Sequence, residues 1–200
     1  MIAASALADN RGSFAAVQGA LTGVPPPEIP LCAANLVVKS PDDQKESTTT
    51  NVILAVVEMN PCTIPSTLAQ ITRTSPDMAP LAAATAVSLQ PNQVYLITMA
   101  TVGTAPARAS KIVSAVIARV PTQFIAVAAT ASQVVPSEET NILNAVSGCL
   151  PVLRPYIEKV ITNQSFAKEN LPVDAILNQC VFMALHDQSA SLSPSSSRKN

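Results

Sequence analysis

The sequence predicts an α+β protein, with short β-strands in the N-terminal half and an α-helical bundle in the C-terminal half. From residue 104 onward, apolar residues recur at helical spacing, most clearly across 108–120. Between 31 and 103 the apolar runs are short and rich in valine and isoleucine, which is typical of strands. Prolines lie where the predicted helices begin or end.

Changes in composition divide the chain into four predicted regions. Residues 1–30 hold a short helix over 13–22 and a proline-rich linker, and residues 31–103 form a mainly β region. Residues 104–187 are helical, and the serine-rich tail 188–200 is predicted to be disordered. We find no repeat of about 20–50 residues, the range usual for repeat architectures.

The β region begins with two short apolar runs, Leu31–Lys39 and Asn51–Met59. The polar stretch 40–49 separates them, so they are predicted to be antiparallel strands joined by a long exposed loop. This loop, taken to Thr50, is also a candidate contact site, because it is the most polar internal stretch of the chain.

Leu89, Pro91 and Tyr95 lie in the order Leu-x-Pro-x-x-x-Tyr, and apolar residues follow. This pattern resembles the tyrosine corner of fibronectin type III and other immunoglobulin-like sandwiches. The resemblance implies a small β-sandwich-like sheet in which the Tyr95 hydroxyl ties its strand to the preceding loop. A buried strand after a proline turn is the alternative interpretation.

Helical spacing in the second half predicts several short helices with proline-bearing connections. In the first of them, Ala109, Ile112, Val113, Val116, Ile117 and Val120 share one face. The next segment, 122–135, is predicted to be a helix, with a strand at Phe124–Ala128 as the alternative. Ser137 is predicted to cap the helix that follows, and further helices cover 151–162 and the stretch after Asn170.

The four cysteines allow two disulfides, and Cys32–Cys62 with Cys149–Cys180 is one of the three connectivities. Buried reduced thiols are the alternative. Asn163 begins an Asn-Gln-Ser triplet, which predicts a site of N-glycosylation. No Cys-x-x-Cys pair occurs and the chain has one histidine, so a zinc site is not predicted.

Composition argues against several classes of function. The net charge is −1, and the 12 lysines and arginines form no block, which argues against nucleic-acid binding. Charged residues are 12% of the chain and hydrophobic residues are 48%, yet no apolar stretch is long enough to predict a transmembrane segment.

No constellation of residues predicts catalysis. His186 is the single histidine, and Cys180 lies about 240° away around the same predicted helix, so the two do not face each other. No glycine-rich phosphate loop or other cofactor motif is present in the sequence. The sequence therefore predicts no catalytic, cofactor-binding or metal-binding residues.

We therefore expect a non-catalytic structural or interaction protein, a subunit of a larger assembly such as an extracellular structure or a viral particle. It would act through protein partners or self-association, in an extracellular or virion location rather than in the cytoplasm. The alternative is a secreted helical carrier of a small apolar ligand, held in a cavity of the bundle.

Overall fold

The protein is a ladder of short helices. The computed structural model describes residues 14–162 and 171–191, and within these ranges it contains no β-strand. The α+β prediction is therefore wrong, because the region 31–103 is helical like the rest.

A first helix, α1, covers 14–21, where the sequence predicted one. Ten more helices follow among the described residues, and those after residue 104 confirm the helical part of the prediction. They are α2 (Ile29–Lys39), α3 (Lys45–Met59), α4 (Ile64–Thr74), α5 (Ala79–Leu89), α6 (Val94–Thr104), α7 (Ala109–Ile117), α8 (Phe124–Val134), α9 (Glu139–Cys149), α10 (Arg154–Thr162) and α11 (Val173–Ser191). Residues 192–200 of the predicted tail lie outside the described residues.

The helices follow a fifteen-residue repeat. Proline recurs at every fifteenth position, as Pro61, Pro76, Pro91, Pro106, Pro121, Pro136 and Pro151. From Pro61 to Pro136 each of these prolines opens a three-residue 3₁₀ turn, and an α-helix begins at the fourth residue of the unit. The repeat was not predicted from the sequence.

The residue before each repeated proline forms hydrogen bonds with both the helix behind it and the turn ahead of it. In Ala105 the backbone N–H donates to the Thr101 carbonyl at 3.0 Å, and its carbonyl accepts from the Arg108 N–H at 2.9 Å. Ser75 makes the same two bonds, to Ile71 and from Met78. Proline disfavours the helical conformation in the residue before it, and Ala105 accordingly has φ −131° and ψ 66°. Five of the helices, α4, α5, α6, α8 and α9, therefore end at the fourteenth residue of the unit, whereas α7 ends at the twelfth.

Every unit buries one stripe of its helix. In α7 the buried residues are Ala109, Ile112, Val113, Val116 and Ile117, which are the fourth, seventh, eighth, eleventh and twelfth of the unit. The corresponding five positions of α4 and α6 are also the buried ones. This spacing confirms the stripe predicted for α7, and each fully buried isoleucine contributes about 2–3 kcal/mol of apolar burial.

The helices alternate between two packed rows. In the even row α2 packs on α4, α4 on α6 and α6 on α8, while in the odd row α3 packs on α5, α5 on α7 and α7 on α9. Consecutive helices also touch across the rows, so the core lies between them. At the C-terminal end α10 packs on α9, and α11 packs on α8 and α10. Such a ladder is typical of helical-repeat proteins.

Bonds between turns two units apart reinforce the rows. Arg108, in the turn before α7, pairs with Asp77, in the turn before α5. One unit further on, the Gln123 side-chain amide donates to the Pro91 carbonyl at 3.3 Å. The first bond joins two turns of the odd row, and the second joins two turns of the even row.

The two predicted strands are helical because burial overrides β propensity. The run Leu31–Lys39 belongs to α2, and Asn51–Met59 belongs to α3. Their valines and isoleucines lie in helices whose buried stripe packs on neighbouring helices, and local β preference is weaker than such packing. The predicted loop 40–49 is short, because Asp42–Gln44 form a 3₁₀ turn and α3 begins at Lys45.

The resemblance to a tyrosine corner is also wrong. Pro91 opens a 3₁₀ turn, and Tyr95 lies in the first turn of α6 with 51% of its surface exposed. The Leu-x-Pro-x-x-x-Tyr order arises from the fifteen-residue repeat, in which Leu89 ends one helix. Ser137 likewise lies within the 3₁₀ turn before α9, and no side chain caps that helix.

Several hydroxyl groups are buried in the even row. Thr98 and Thr101 of α6 are both fully buried. The Thr101 hydroxyl donates to the Ile97 carbonyl at 2.8 Å, whereas the Thr98 hydroxyl has no hydrogen-bond partner. A buried hydroxyl without a partner loses its hydration and gains nothing in return.

We expect Thr98→Val to raise the free energy of unfolding by about 1 kcal/mol, because an isosteric methyl group removes an unsatisfied hydroxyl. Thr101→Val is the matched control in the same helix, and it should lower the free energy of unfolding by about 0.5–1 kcal/mol. Urea denaturation of both variants measures the difference. Equal effects of the two substitutions would contradict this account of the core.

Candidate functional site

The outward side of the even row carries large apolar side chains. In α6 these are Tyr95, Leu96 and Met99, and Leu96 and Met99 are 42% and 39% exposed. They occupy the fifth, sixth and ninth positions of their unit, opposite the buried stripe. We call the exposed apolar side chains of this row the apolar surface, which comprises Leu31, Val38, Tyr95, Leu96, Met99, Phe182 and Leu185.

The apolar surface has members on several helices of the row, but α4, between α2 and α6, contributes none. Leu31 and Val38 belong to α2, and Phe182 and Leu185 belong to α11, which packs on α8. Between α6 and α11, helix α8 places Ile125, Ala126 and Ala129 at the same fifth, sixth and ninth positions. Exposed large apolar side chains that share one side of a protein mark a surface suited to a partner.

Two helices of the odd row, α7 and α9, carry polar residues at the same positions, whereas α5 carries Pro80, Leu81 and Ala84 there. In α7 the polar residues are Ser110, Lys111 and Ser114, and in α9 they include Asn141 and Asn144. Lys111 is exposed, and Ser110 and Ser114 are partly exposed. Helix α6 thus shares its core pattern with α7 but differs from α7 and α9 in the chemistry of its outer side.

A groove lies on the odd row between α7 and α9. It has a volume of about 650 Å³, and its walls are formed by Ser110, Lys111, Ser114, Ala115, Asn141, Asn144 and Ala145. The Cys149 thiol of α9 donates to the Ser114 carbonyl of α7 at 3.7 Å, which links the two walls. The sequence analysis did not single out the asparagines, although alignment of the units on their prolines brings them to the outward positions.

The four cysteines are free thiols, so the prediction of disulfides is wrong. Cys62 is exposed in the turn before α4, Cys32 and Cys149 are half-buried, and Cys180 is buried. Burial raises the pKa of the Cys180 thiol, because the thiolate would lose its hydration. The fold leaves the four thiols unpaired, which the spacing of cysteines in the sequence does not reveal.

The remaining predicted residues do not gather into one site. His186 is exposed on α11, where its ring centroid lies 6.4 Å from that of Phe182. Asn163, the predicted glycosylation site, lies outside the described residues. Within the described ranges, no three histidine, cysteine, aspartate or glutamate side chains are grouped closely enough to hold a metal ion.

A tyrosine–carboxylate pair joins the last two helices. The Tyr156 hydroxyl of α10 donates to the Asp187 carboxylate of α11 at 2.8 Å. This hydrogen bond, together with desolvation and the negative charge of Asp187, raises the pKa of Tyr156. The bond fixes α10 against α11 at the C-terminal end of the ladder.

Comparison of the chain with models of known protein families, with curated proteins and with solved structures finds no match. Among the described helices, none combines the length and the apolar character that crossing a membrane requires.

We expect all four thiols to be alkylated when the protein is denatured without reductant, as the intact mass will show. In the native protein Cys62 should react first because it is exposed. Cys180 should react last, because it is buried and its raised pKa leaves less thiolate. A chain in which no thiol is alkylated after denaturation would contradict the structure.

We expect Asp187→Ala to lower the pKa of Tyr156, because the hydrogen bond to Asp187 is the largest cause of its rise. All the proteins compared carry Tyr95→Phe, so that Tyr156 is the remaining tyrosine and its titration can be followed by ultraviolet absorbance. The pKa of Tyr156 is raised because the pair with Asp187 favours the protonated hydroxyl. The pair therefore stabilises the fold at lower pH, and this stabilisation is lost as the pH rises through the folded-state pKa of Tyr156.

Asp174→Ala, on the first turn of the same helix, is the control and should leave the Tyr156 titration unchanged. An unchanged titration in the Asp187 variant as well would show that the pair does not form in solution.

Proposed function

We propose that the protein is a non-catalytic interaction scaffold, a subunit of a larger assembly that binds another protein chain through the apolar surface of its even row. The observation that carries the proposal is the exposure of Tyr95, Leu96 and Met99 side by side on α6. Aromatic residues and methionine are enriched at the centres of protein interfaces.

The repeat itself does not require these apolar residues. The outward positions of α7 hold serine and lysine, and α9 holds asparagine there, in helices with the same buried stripe. Leu96 and Met99 at these positions of α6 each leave about two fifths of their surface in contact with water, which is unfavourable. The grouping of three exposed apolar side chains on α6 is what binding to a partner would favour.

A ladder of short helices also suits a scaffold. Its outer side is long relative to its core, because each unit touches mainly its neighbours. The prediction that the assembly is an extracellular structure or a viral particle rests on composition alone, and it remains untested. The alternative of a carrier for a small apolar ligand also remains an untested prediction.

We expect Leu96→Ser with Met99→Ser to weaken the association with the partner chain. Burial of two half-exposed side chains of this size contributes about 2 kcal/mol, which is roughly thirtyfold in the dissociation constant. If the partner is a second copy of the chain, sedimentation velocity measures the association. If the partner is another protein, cross-linking mass spectrometry in the cells that produce the chain identifies it. The fold should be unchanged, because neither side chain belongs to the buried stripe.

The matched control is Met59→Ser with Leu89→Ser. These two residues are each 38% exposed, and they lie at the ends of α3 and α5 in the odd row. The control should associate like the original protein. Equal loss in both variants, or a chain that stays monomeric and cross-links to nothing, would contradict the proposal.

A further inference from the structure

We propose that the groove between α7 and α9 binds an extended, acidic segment of a protein partner. This inference adds a second contact site, on the odd row, to the scaffold proposed above, and in that sense it depends on the proposed function. It rests on the shape of the groove, its unpaired cation and its side-chain amides.

The shape suits an extended chain. The groove is shallow and open, with a volume of about 650 Å³ over two neighbouring helices of one row, so a chain can lie across it without entering an enclosed cavity. The contact between the Cys149 thiol and the Ser114 carbonyl joins the two walls in the unliganded protein. Because the walls are already held together, a ligand does not have to order them, and preorganisation of this kind favours binding.

The charge of the groove is positive. Lys111 is the charged residue among those that line it, its ammonium is exposed, and the described residues offer it no ion-pair partner. A carboxylate of a partner would supply the missing charge. A single cation among serines and asparagines does not suit nucleic acid, whose backbone requires clustered lysines and arginines.

The asparagines suit a peptide backbone. A side-chain amide has an acceptor oxygen and a donor nitrogen, which is the complement of the carbonyl and N–H of a peptide group. Asn144 is exposed and makes no hydrogen bond within the described protein, so both its groups are available. The Asn141 nitrogen donates to the Glu138 carboxylate at 2.8 Å, which leaves its oxygen to accept an N–H.

Glu138 also fixes where the acidic residue of the segment binds. It lies in the turn before α9, outside the groove, and its carboxylate is held by Asn141. A second carboxylate is disfavoured beside it and favoured beside Lys111. Asn144 lies about one turn further along α9 from Asn141, on the same face, and it can bond the backbone away from Glu138.

The test is a selection of displayed random peptides, about nine residues long so that an extended peptide crosses both helices, on the full chain. We expect enrichment of peptides that contain aspartate or glutamate. The enriched peptides, labelled for fluorescence anisotropy, should bind Lys111→Glu about tenfold or more weakly, because attraction becomes repulsion. They should bind Asn144→Ala about fivefold more weakly, because backbone hydrogen bonds are lost.

A second selection, on the Lys111→Glu protein, should enrich lysine and arginine in place of the acids. Lys39→Glu, a charge reversal on the exposed end of α2, is the control and should bind the original peptides normally. Circular dichroism of each variant confirms that it is folded.

Selection without acidic enrichment, or peptides that bind Lys111→Glu as tightly as the original protein, would overturn the groove proposal. Either result leaves the scaffold proposal intact, because that proposal is judged by Leu96→Ser with Met99→Ser on the other row. Loss of association in that double variant together with unchanged peptide binding would show that the two surfaces act separately.

Discussion

The ladder depends on one residue in each unit, the residue that precedes the repeated proline. Its N–H closes the helix behind it and its carbonyl opens the turn ahead, as in Ala105 with Thr101 and Arg108. Proline keeps this residue out of the helical conformation and donates no hydrogen bond itself. Because the connection is so short and is bonded on both sides, successive helices fold back on each other and alternate between the two rows.

The residues that determine the fold are therefore different from those proposed to bind partners. The buried stripe, the proline and the residue before it recur with the repeat, whereas the fifth, sixth and ninth positions of α6 and α7 lie outside the buried stripe. The same positions hold Tyr95 and Leu96 in α6 but Ser110 and Lys111 in α7. One backbone can therefore present an apolar surface on one side and a polar groove on the other, at no cost to the core.

Part of this organisation was predictable from the sequence. The stripe of α7 was predicted correctly, because its polar and apolar residues alternate with a clear helical period. The helices at 31–39 and 51–59 were missed, because their valines and isoleucines favour strands locally and only packing against the other row makes them helical. The spacing of the prolines shows the fifteen-residue period, but this period was not predicted, because the units of repeat architectures are usually about 20–50 residues long. The groove was beyond sequence reasoning, because it brings together residues of α7 and α9 that become neighbours only when the rows form.

The most direct test of this account is the stability of two deletions, measured by urea denaturation. Deletion of 91–120 removes two units, one helix from each row, and every remaining helix stays in its own row. Deletion of 91–105 removes one unit and moves every later helix to the opposite row. The account predicts that the longer deletion unfolds in one cooperative transition with a smaller m-value, and that the shorter deletion is the less stable protein. A shorter deletion that is equally stable or more stable would contradict the alternation of rows.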